Sequence, residues 1–367
     1  MNRRITMADI ARKAGVHVTT VSLALRNNPR LPQATRERIQ ALAVEMDYRP
    51  DPAIASLVAY RHAISRPSAP QPLAYVTGWH SQWGWKERPA HLEFFEGASA
   101  RARQLGFDLQ HFWLRAPEMT DKRMCQILHT RGITGLIIAS YTGASGHTLD
   151  FEWAHFSAVQ IDYLPSQPEL HRVSNDQRGI MQLAMRRVAA RGYRRIGLVL
   201  PQWWDDGVQY AWSAGYLAEQ QALAGQQPIP MLRYPWPGSE TGRPIPVDQV
   251  PLVPVEPLKR WLREHRPEVV FGHAPYVLPQ LEQLGIAVPR DLAFVDPSLI
   301  QADGTVAGVM HNSRRVGELA VEILSGQLQH NVYGLPAYPT VTLVEGTWHE
   351  GASLPVAGPP RPTAVRR

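Results

Sequence analysis

The sequence has one cysteine, Cys125, so it can form no intrachain disulfide. Cys125 sits in a helical pattern beside Met124, Ile127 and Leu128, the setting of a buried structural thiol rather than a nucleophile. Long apolar runs are missing too. The opening MNRRITMADIARKAG lacks the apolar core of a secretory leader, and runs such as GLIIA are far too short to span a bilayer. These absences lead to the expectation of a cytoplasmic protein with no membrane partner. No paired Cys/His spacing points to zinc. YTGASGHT lacks the lysine of a phosphate-binding loop, and GASLP and SGHTLD are not nucleophile elbows. His17, His80, His91, His147 and His273 stand in separate contexts. The chain is therefore read as a non-enzyme that needs no metal and no cofactor.

Acidic residues are scarce only at one end. The chain carries 38 Lys and Arg against 32 Asp and Glu. Residues 1–66 hold eleven of the former and five of the latter, a balance of +6, and the rest of the chain sums to zero. A segment with that balance attracts polyanions.

What is present divides into pieces. Residues 5–47 read as three short helices. ITMADIARKAG opens on a Thr6–Asp9 capping pair and stops at Gly15. VTTVSLAL follows, closed by Asn-Asn-Pro. LPQATRERIQALAVEMDY starts at Pro32 and repeats apolar residues on one face. On an ideal helix Thr20, Val21, Ala24 and Leu25 share one face, and Val18, Thr19, Ser22, Leu23 and Arg26 share the other. The first face can pack on the other helices. The short apolar and hydroxyl groups of the second, Val18, Thr19, Ser22 and Leu23, suit a major groove with its thymine methyls and phosphate oxygens. A two-turn helix over Ala53–Arg61 and a Pro-rich linker, SRPSAPQP, come next. From Leu73 apolar runs alternate with amphipathic stretches, the pattern of an α/β fold with parallel sheets. The length favours two similar lobes.

The head resembles the amino-terminal domain of the lactose/galactose-repressor family of bacterial transcription regulators. The motifs are ITMADIARKAGVHVTTVSLALRN, TRERIQALAVEMDYRP and PAIASLVAYR, which cover residues 5–61. The resemblance implies a helix-turn-helix whose second helix enters the major groove and a hinge leucine, Leu57, that wedges into the minor groove. The residues it places on DNA are Thr6, His17, Val18, Thr19, Ser22, Leu23, Arg26, Asn27, Arg30 and Leu57. Attraction for phosphates is expected from Arg12, Lys13, Arg26, Arg30, Arg36, Arg38 and Arg49. Two departures stand out. Leu23 falls where many relatives carry Arg, the usual reader of guanine, and His17 replaces the usual Ser cap.

The α/β region is similar to the same family through RGITGLIIAS, VSNDQRGIMQLAMRRVAARGYRRIGLVL, LGIAVPRDLAFVD and TVAGVMHNSRRVGELAVEIL. That implies a two-lobed domain of the periplasmic-binding-protein type, with a ligand in the cleft at the strand ends. The expected organisation is a head over 1–49, a hinge helix and linker over 50–72, an effector and dimerisation domain over 73–355, and a flexible tail over 356–367. Within it, lobe 1 takes about 73–163 and 311–328, and lobe 2 about 164–310 and 329–350. Crossovers are expected near Asp162–Leu164, Met310–Asn312 and Gly326–Asn331.

The cleft departs from the family. The usual Arg falls on Trp212, the usual late acid near Ser298, and the usual Asn-Asp on His273 and Ala274. Asp162 is the family acid in place. Tryptophans stand in their stead: Trp79, Trp83, Trp85, Trp203, Trp204 and Trp212 all follow strands, where aromatic faces could stack on a sugar ring or another flat ligand. The expected effector residues are Trp79, Tyr141, Asp162, Trp203, Trp212, His273 and Ser298. The partners expected are an operator in double-stranded DNA, a sugar-like effector and a second copy of the chain. Three alternatives are weighed beside this one. They are a regulator of the same fold that has lost its ligand, a plain solute-binding protein, and a sugar- or nucleoside-processing enzyme on the same lobes.

Overall fold

The structure is a computed structural model and describes residues 5–25, 27–28, 31–48, 70–141, 148–163, 167–223, 228–235 and 252–356. The head is three helices, α1 (Met7–Ala14), α2 (Val18–Leu25) and α3 (Gln33–Glu45). The Thr6 amide and hydroxyl both donate to Asp9 Oδ2, at 3.0 and 2.7 Å, which fixes the start of α1. Gly15 ends it in the left-handed conformation, φ 68°. Ile10, Ala11, Val21, Ala24, Ile39 and Ala43 form the small core.

Two six-stranded sheets follow. The first contains β1 (Gln71–Gly78), β2 (Phe107–Trp113), β3 (Gly135–Tyr141), β4 (Ser157–Ile161), β5 (His171–Asn175) and β11 (Val341–Val344), in the order β11-β5-β4-β3-β1-β2. All its pairings are parallel. The second contains β6 (Ile196–Pro201), β7 (Leu232–Tyr234), β8 (Val269–Phe271), β9 (Ala293–Leu299), β10 (Ala307–Met310) and β12 (Thr347–His349), in the order β12-β10-β9-β8-β6-β7. Only the β10–β12 pairing in it is antiparallel.

Central strands are apolar on both sides because helices cover both faces. In the first sheet Leu73 and Tyr75 face a core built with α4 (Pro89–Gln104) and α11 (Ser313–Gln329). Ala74 and Val76 face the other core, with α5 (Asp121–Thr130). The second sheet is covered on one face by α6 (Gln177–Ala190) and α8 (Ala211–Ala222), and on the other by α9 (Val255–His265) and α10 (Ala274–Gln283). A short helix, α7 (Gln202–Gly207), follows β6.

The chain passes between the sheets three times: from Asn175 to Gln177, from Met310 to Ser313 and from Val344 to Thr347. The crossings expected at Asp162–Leu164 and Gly326–Asn331 are therefore corrected, together with the lobe boundaries drawn from them. After Asp162 the chain adds one more strand, β5, to the first sheet before it leaves. The stretch after Gly326 completes α11 and then returns to the first sheet as β11. The linker boundary also moves, since Gln71 and Pro72 already belong to β1.

Side chains tie the crossings together. Asn312 Nδ2 donates to the Glu345 carbonyl at 2.7 Å and to Thr347 Oγ1 at 3.1 Å. Asn175 Nδ2 donates to Ser313 Oγ at 3.1 Å. Among the described residues no helix is long and apolar enough to cross a membrane.

Candidate nucleic-acid interface and ligand cleft

The outer face of α2 emerges from its packing. Val21 and Ala24 are fully buried, so the opposite side turns outward. Val18 is 37% exposed and Thr19 is exposed, while Ser22 and Leu23 are half-buried. His17 caps the helix through its ring: Nδ1 lies 2.9 Å from Thr19 Oγ1 and 3.4 Å from the Thr19 amide. Asn27 takes a left-handed φ of 52°, and its carbonyl accepts from Arg36 at 3.1 Å.

Several basic residues expected near phosphates also brace the bundle. Arg38 donates to the Ala14 carbonyl, Lys13 pairs with Glu45 at 2.8 Å and Arg12 with Asp9 at 3.4 Å. Exposed pairs of this kind add little stability. Arg26, Arg30, Arg49 and Leu57, with the hinge helix, lie outside the described residues.

The remaining site residues gather at the carboxyl ends of the parallel strands, where α/β folds open their clefts. On the first sheet, β1 ends at Gly78. The Tyr141 ring occupies the space there: a Cβ on Gly78 would stand 2.3 Å from it. Tyr141 thus packs into the first lobe's core. Trp79 is buried with its ring 4.9 Å from His91. His91 Nδ1 lies 3.1 Å from Ser140 Oγ, which also reaches the Tyr75 hydroxyl at 3.4 Å. Burial, with a smaller push from Arg88, holds the His91 imidazole down to about 4.

Asp162, left-handed at φ 69°, follows β4. Burial raises its carboxyl to about 6 against the pull of Arg172. The Arg172 guanidinium lies 4.7 Å above the Tyr163 ring.

Two tryptophans expected near the cleft do other work. Trp85 is fully buried against Tyr75 and Phe95. Trp83 is 45% exposed, with Lys86 4.1 Å above its ring and His111 beside it.

On the second sheet the expected residues do converge. Trp203 stacks on Trp204 at 6.3 Å. Trp204 in turn lies 4.9 Å from Trp212 and 5.2 Å from His273. Trp212 is buried and donates its indole N–H to Gln177 at 2.9 Å. His273, after β8, holds Asp296 on β9 through Nδ1 at 3.0 Å. The Ala274 and Ser298 amides each donate to the same carboxylate at 2.8 Å. Ser298 thus contributes its backbone, and the buried acid stands two residues earlier, at Asp296. His311, after β10, donates from Nε2 to the Pro297 carbonyl at 3.2 Å, and burial holds it down to about 4. Tyr276 packs 4.6 Å from His273, and burial raises its hydroxyl against the opposing pull of the Arg88 charge from the other lobe.

Asp296, Gln177, His311, Tyr276 and Arg88 are site residues that the sequence reading passed over. Asp296 and His311 had a signal in the sequence: each ends or follows an apolar run, in DLAFVDP and VAGVMH. Gln177 and Arg88 open helices, and nothing local marks them.

Comparison with known proteins agrees with both parts. The sequence model for bacterial regulatory proteins of the lacI family matches residues 6–51, and that for a periplasmic binding protein-like domain matches 185–354. An HTH-type transcriptional regulator of Mycolicibacterium smegmatis is 26% identical over 198 residues, 54% of this chain and 51% of the relative. The HTH-type transcriptional regulator TreR of Escherichia coli is 25% identical over 210 residues, 53% of this chain and 56% of the relative. The match thus spans about half the length of these curated relatives.

Among solved structures, a complex of the transcriptional regulator CelR with cellobiose aligns over 95% of this chain and 100% of its own, with a TM-score of 0.55 and 17% identity. A lac repressor dimer bound to operator and the anti-inducer ONPF aligns over 96% and 99%, with a TM-score of 0.52 and 16% identity. At that identity the likeness is one of fold.

Proposed function

We propose, from the premise that this chain belongs to the lacI family of bacterial regulatory proteins, that it is a ligand-responsive repressor. It acts in the cytoplasm as a dimer on a near-palindromic operator. The observation that carries this reading is the outer face of α2. Val18 and Thr19 are exposed and uncharged on a bundle that needs neither for its core. Such a face meets base edges while basic neighbours meet phosphates. Two heads read successive major grooves, and Leu57 of each hinge wedges into the minor groove between them.

The cleft receives a sugar-like effector, as the likeness to the CelR–cellobiose complex supports. Binding changes the angle between the lobes and so the spacing of the heads. Selection from a random pool of DNA duplexes tests the reading. The expected product is a dyad-symmetric motif, and recovery of no motif overturns it. A second reading, a regulator that works without an effector, is favoured by one observation. The strand ends of the second sheet are already lined by packed aromatic rings, Trp204, Trp212, His273 and Tyr276. Titration of operator-bound protein with sugars separates the two, since release occurs only in the first.

A further inference from the structure

One side chain holds the start of α2 and sets the polarity of the residue beside it. In the first turn of any helix the leading amides have no acceptor within the helix. Here the Thr20 and Val21 amides reach the His17 carbonyl, at 2.9 and 3.2 Å. The Thr19 amide donates instead to His17 Nδ1, at 3.4 Å, and the Thr19 hydroxyl lies 2.9 Å from the same nitrogen. An amide N–H can only donate, so Nδ1 is the acceptor and the ring carries its proton on Nε2. The Thr19 hydroxyl must then donate to Nδ1 as well. With its proton engaged inside the protein, Thr19 Oγ1 has only lone pairs left to offer. A serine at the cap both gives and takes, and so leaves a neighbouring hydroxyl undecided. A ring nitrogen without a proton only takes.

The rest of the reading face adds little polarity of its own. His17, Val18 and Thr19 are exposed, and Ser22 and Leu23 are half-buried. The Val18 and Leu23 side chains carry no hydrogen-bonding group, which leaves Thr19 as the exposed polar group of that face. The far end of the helix is held by α3: Gln40 Nε2 donates to the Ala24 carbonyl at 2.9 Å, and Arg36 to the Asn27 carbonyl at 3.1 Å.

We infer that Thr19 is a specificity-determining residue that accepts a hydrogen bond from an exocyclic amino group, adenine N6 or cytosine N4, and that His17 is the positioning residue that makes it an acceptor. This rests on the proposed docking of α2 in the major groove. Every base pair shows one such amino group there, with keto oxygens and purine N7 as acceptors. An acceptor hydroxyl pairs with the amino group and sets lone pair against lone pair at the others.

The test uses the full-length protein at about pH 8, where a free imidazole is neutral. Selection from random duplexes is run with the parent protein and with Thr19→Val, and the position at which the two motifs differ is the one Thr19 contacts. Duplexes are then made with one group removed at that position: purine in place of adenine or 2-pyrimidinone in place of cytosine, which lose the amino group, and 7-deazapurines, which lose N7. Fluorescence anisotropy reads the affinity of each. Loss of the amino group is expected to cost the parent protein about fivefold to tenfold more than it costs Thr19→Val, and loss of N7 to cost the two proteins the same. His17→Ser, which still caps the helix, holds operator affinity within a few-fold but brings the amino dependence below about twofold. His17→Asp, whose carboxylate can only accept, keeps the amino dependence and binds every duplex more weakly through its charge.

The same motif from Thr19→Val, or an amino group whose loss costs both proteins equally, overturns the inference and leaves DNA recognition by α2 standing. Full amino dependence in His17→Ser, or its loss in His17→Asp that still binds the operator, overturns the positioning role of His17. Recovery of no motif by the parent protein overturns the DNA-binding reading, and the inference with it.

Discussion

Gly317 of α11 lies so close to Phe94 of α4 that a Cβ built on it would stand 2.0 Å from the Phe94 carbonyl oxygen. The contact is mutual: a Cβ on Gly97 would stand 2.0 Å from the Arg314 carbonyl. Two helices distant in sequence meet backbone to backbone there, over the first sheet. Gly317→Ala must push them apart and is expected to lower stability by about 2–3 kcal/mol, since neither backbone can move aside cheaply. Gly326 lies in the same helix with nothing within 4 Å of its would-be Cβ. Gly326→Ala should therefore stabilise by about 0.5–1 kcal/mol. Denaturant melts of the two variants check the pair; similar behaviour would refute the close crossing.

Asn312 joins two of the three passages between the lobes. Asn312→Ala leaves the Glu345 carbonyl without that donor and is expected to cost about 1–2 kcal/mol. Hydrogen exchange should quicken at the amides of 345–347 more than in the cores of either lobe. Uniform exchange across the protein would argue against a local tie.

The pH response combines two opposed effects. His91 and His311 are held down to about 4 in the folded protein, against 6.5 for an ordinary imidazole. The unfolded chain therefore takes up protons first as pH falls, and these groups erode stability from about pH 6.5 downward. Asp162 is raised to about 6 from 3.8. Its folded form binds a proton before the unfolded chain does, so its cost to folding is full above pH 6 and fades toward pH 4. Asp162→Asn is expected to gain about 1–2 kcal/mol at pH 7 and to lose stability more steeply between pH 7 and 5. Urea melts at pH 5, 6, 7 and 8 give both slopes, and parallel curves would contradict the assignment.

Leu23 is half-buried on the reading side of α2. Leu23→Arg is expected to introduce a preference for guanine at one position of each half-site. It also steepens the dependence of binding on salt by about one ion per head. Site selection with the variant and a salt titration measure both. An unchanged motif would place residue 23 away from the bases.

Much of this fold was legible because it follows local rules. The Thr6–Asp9 box, Gly15 and Pro32 mark helix ends by their own chemistry, and the structure has them there. Strands such as GLIIASY read clearly because both faces are buried. What stayed hidden depended on long-range pairing. β5, HRVSN, is short and mixed, and it becomes a strand because β4 and β11 flank it. That one strand displaced the predicted first crossing. In the site, the place of Trp85 after a strand fits either a cleft residue or a cap on the core. It is core because Tyr75 and Phe95 close over it, which only packing can reveal.

The three passages between the lobes have a consequence for how the protein is made. Neither lobe is a continuous stretch of chain. The first lobe begins at Gln71, but its covering helix starts only at Ser313, and its edge strand ends at Val344. When residues 71–175 have left the ribosome, the face that Val316, Ala320, Val321 and Leu324 will cover is still bare. It stays bare until the whole of the second sheet up to β10 has been synthesised. A message truncated before codon 313 therefore yields a second lobe nearly complete and a first lobe with an open core. The nascent chain must keep that surface from other contacts for more than a hundred residues of translation.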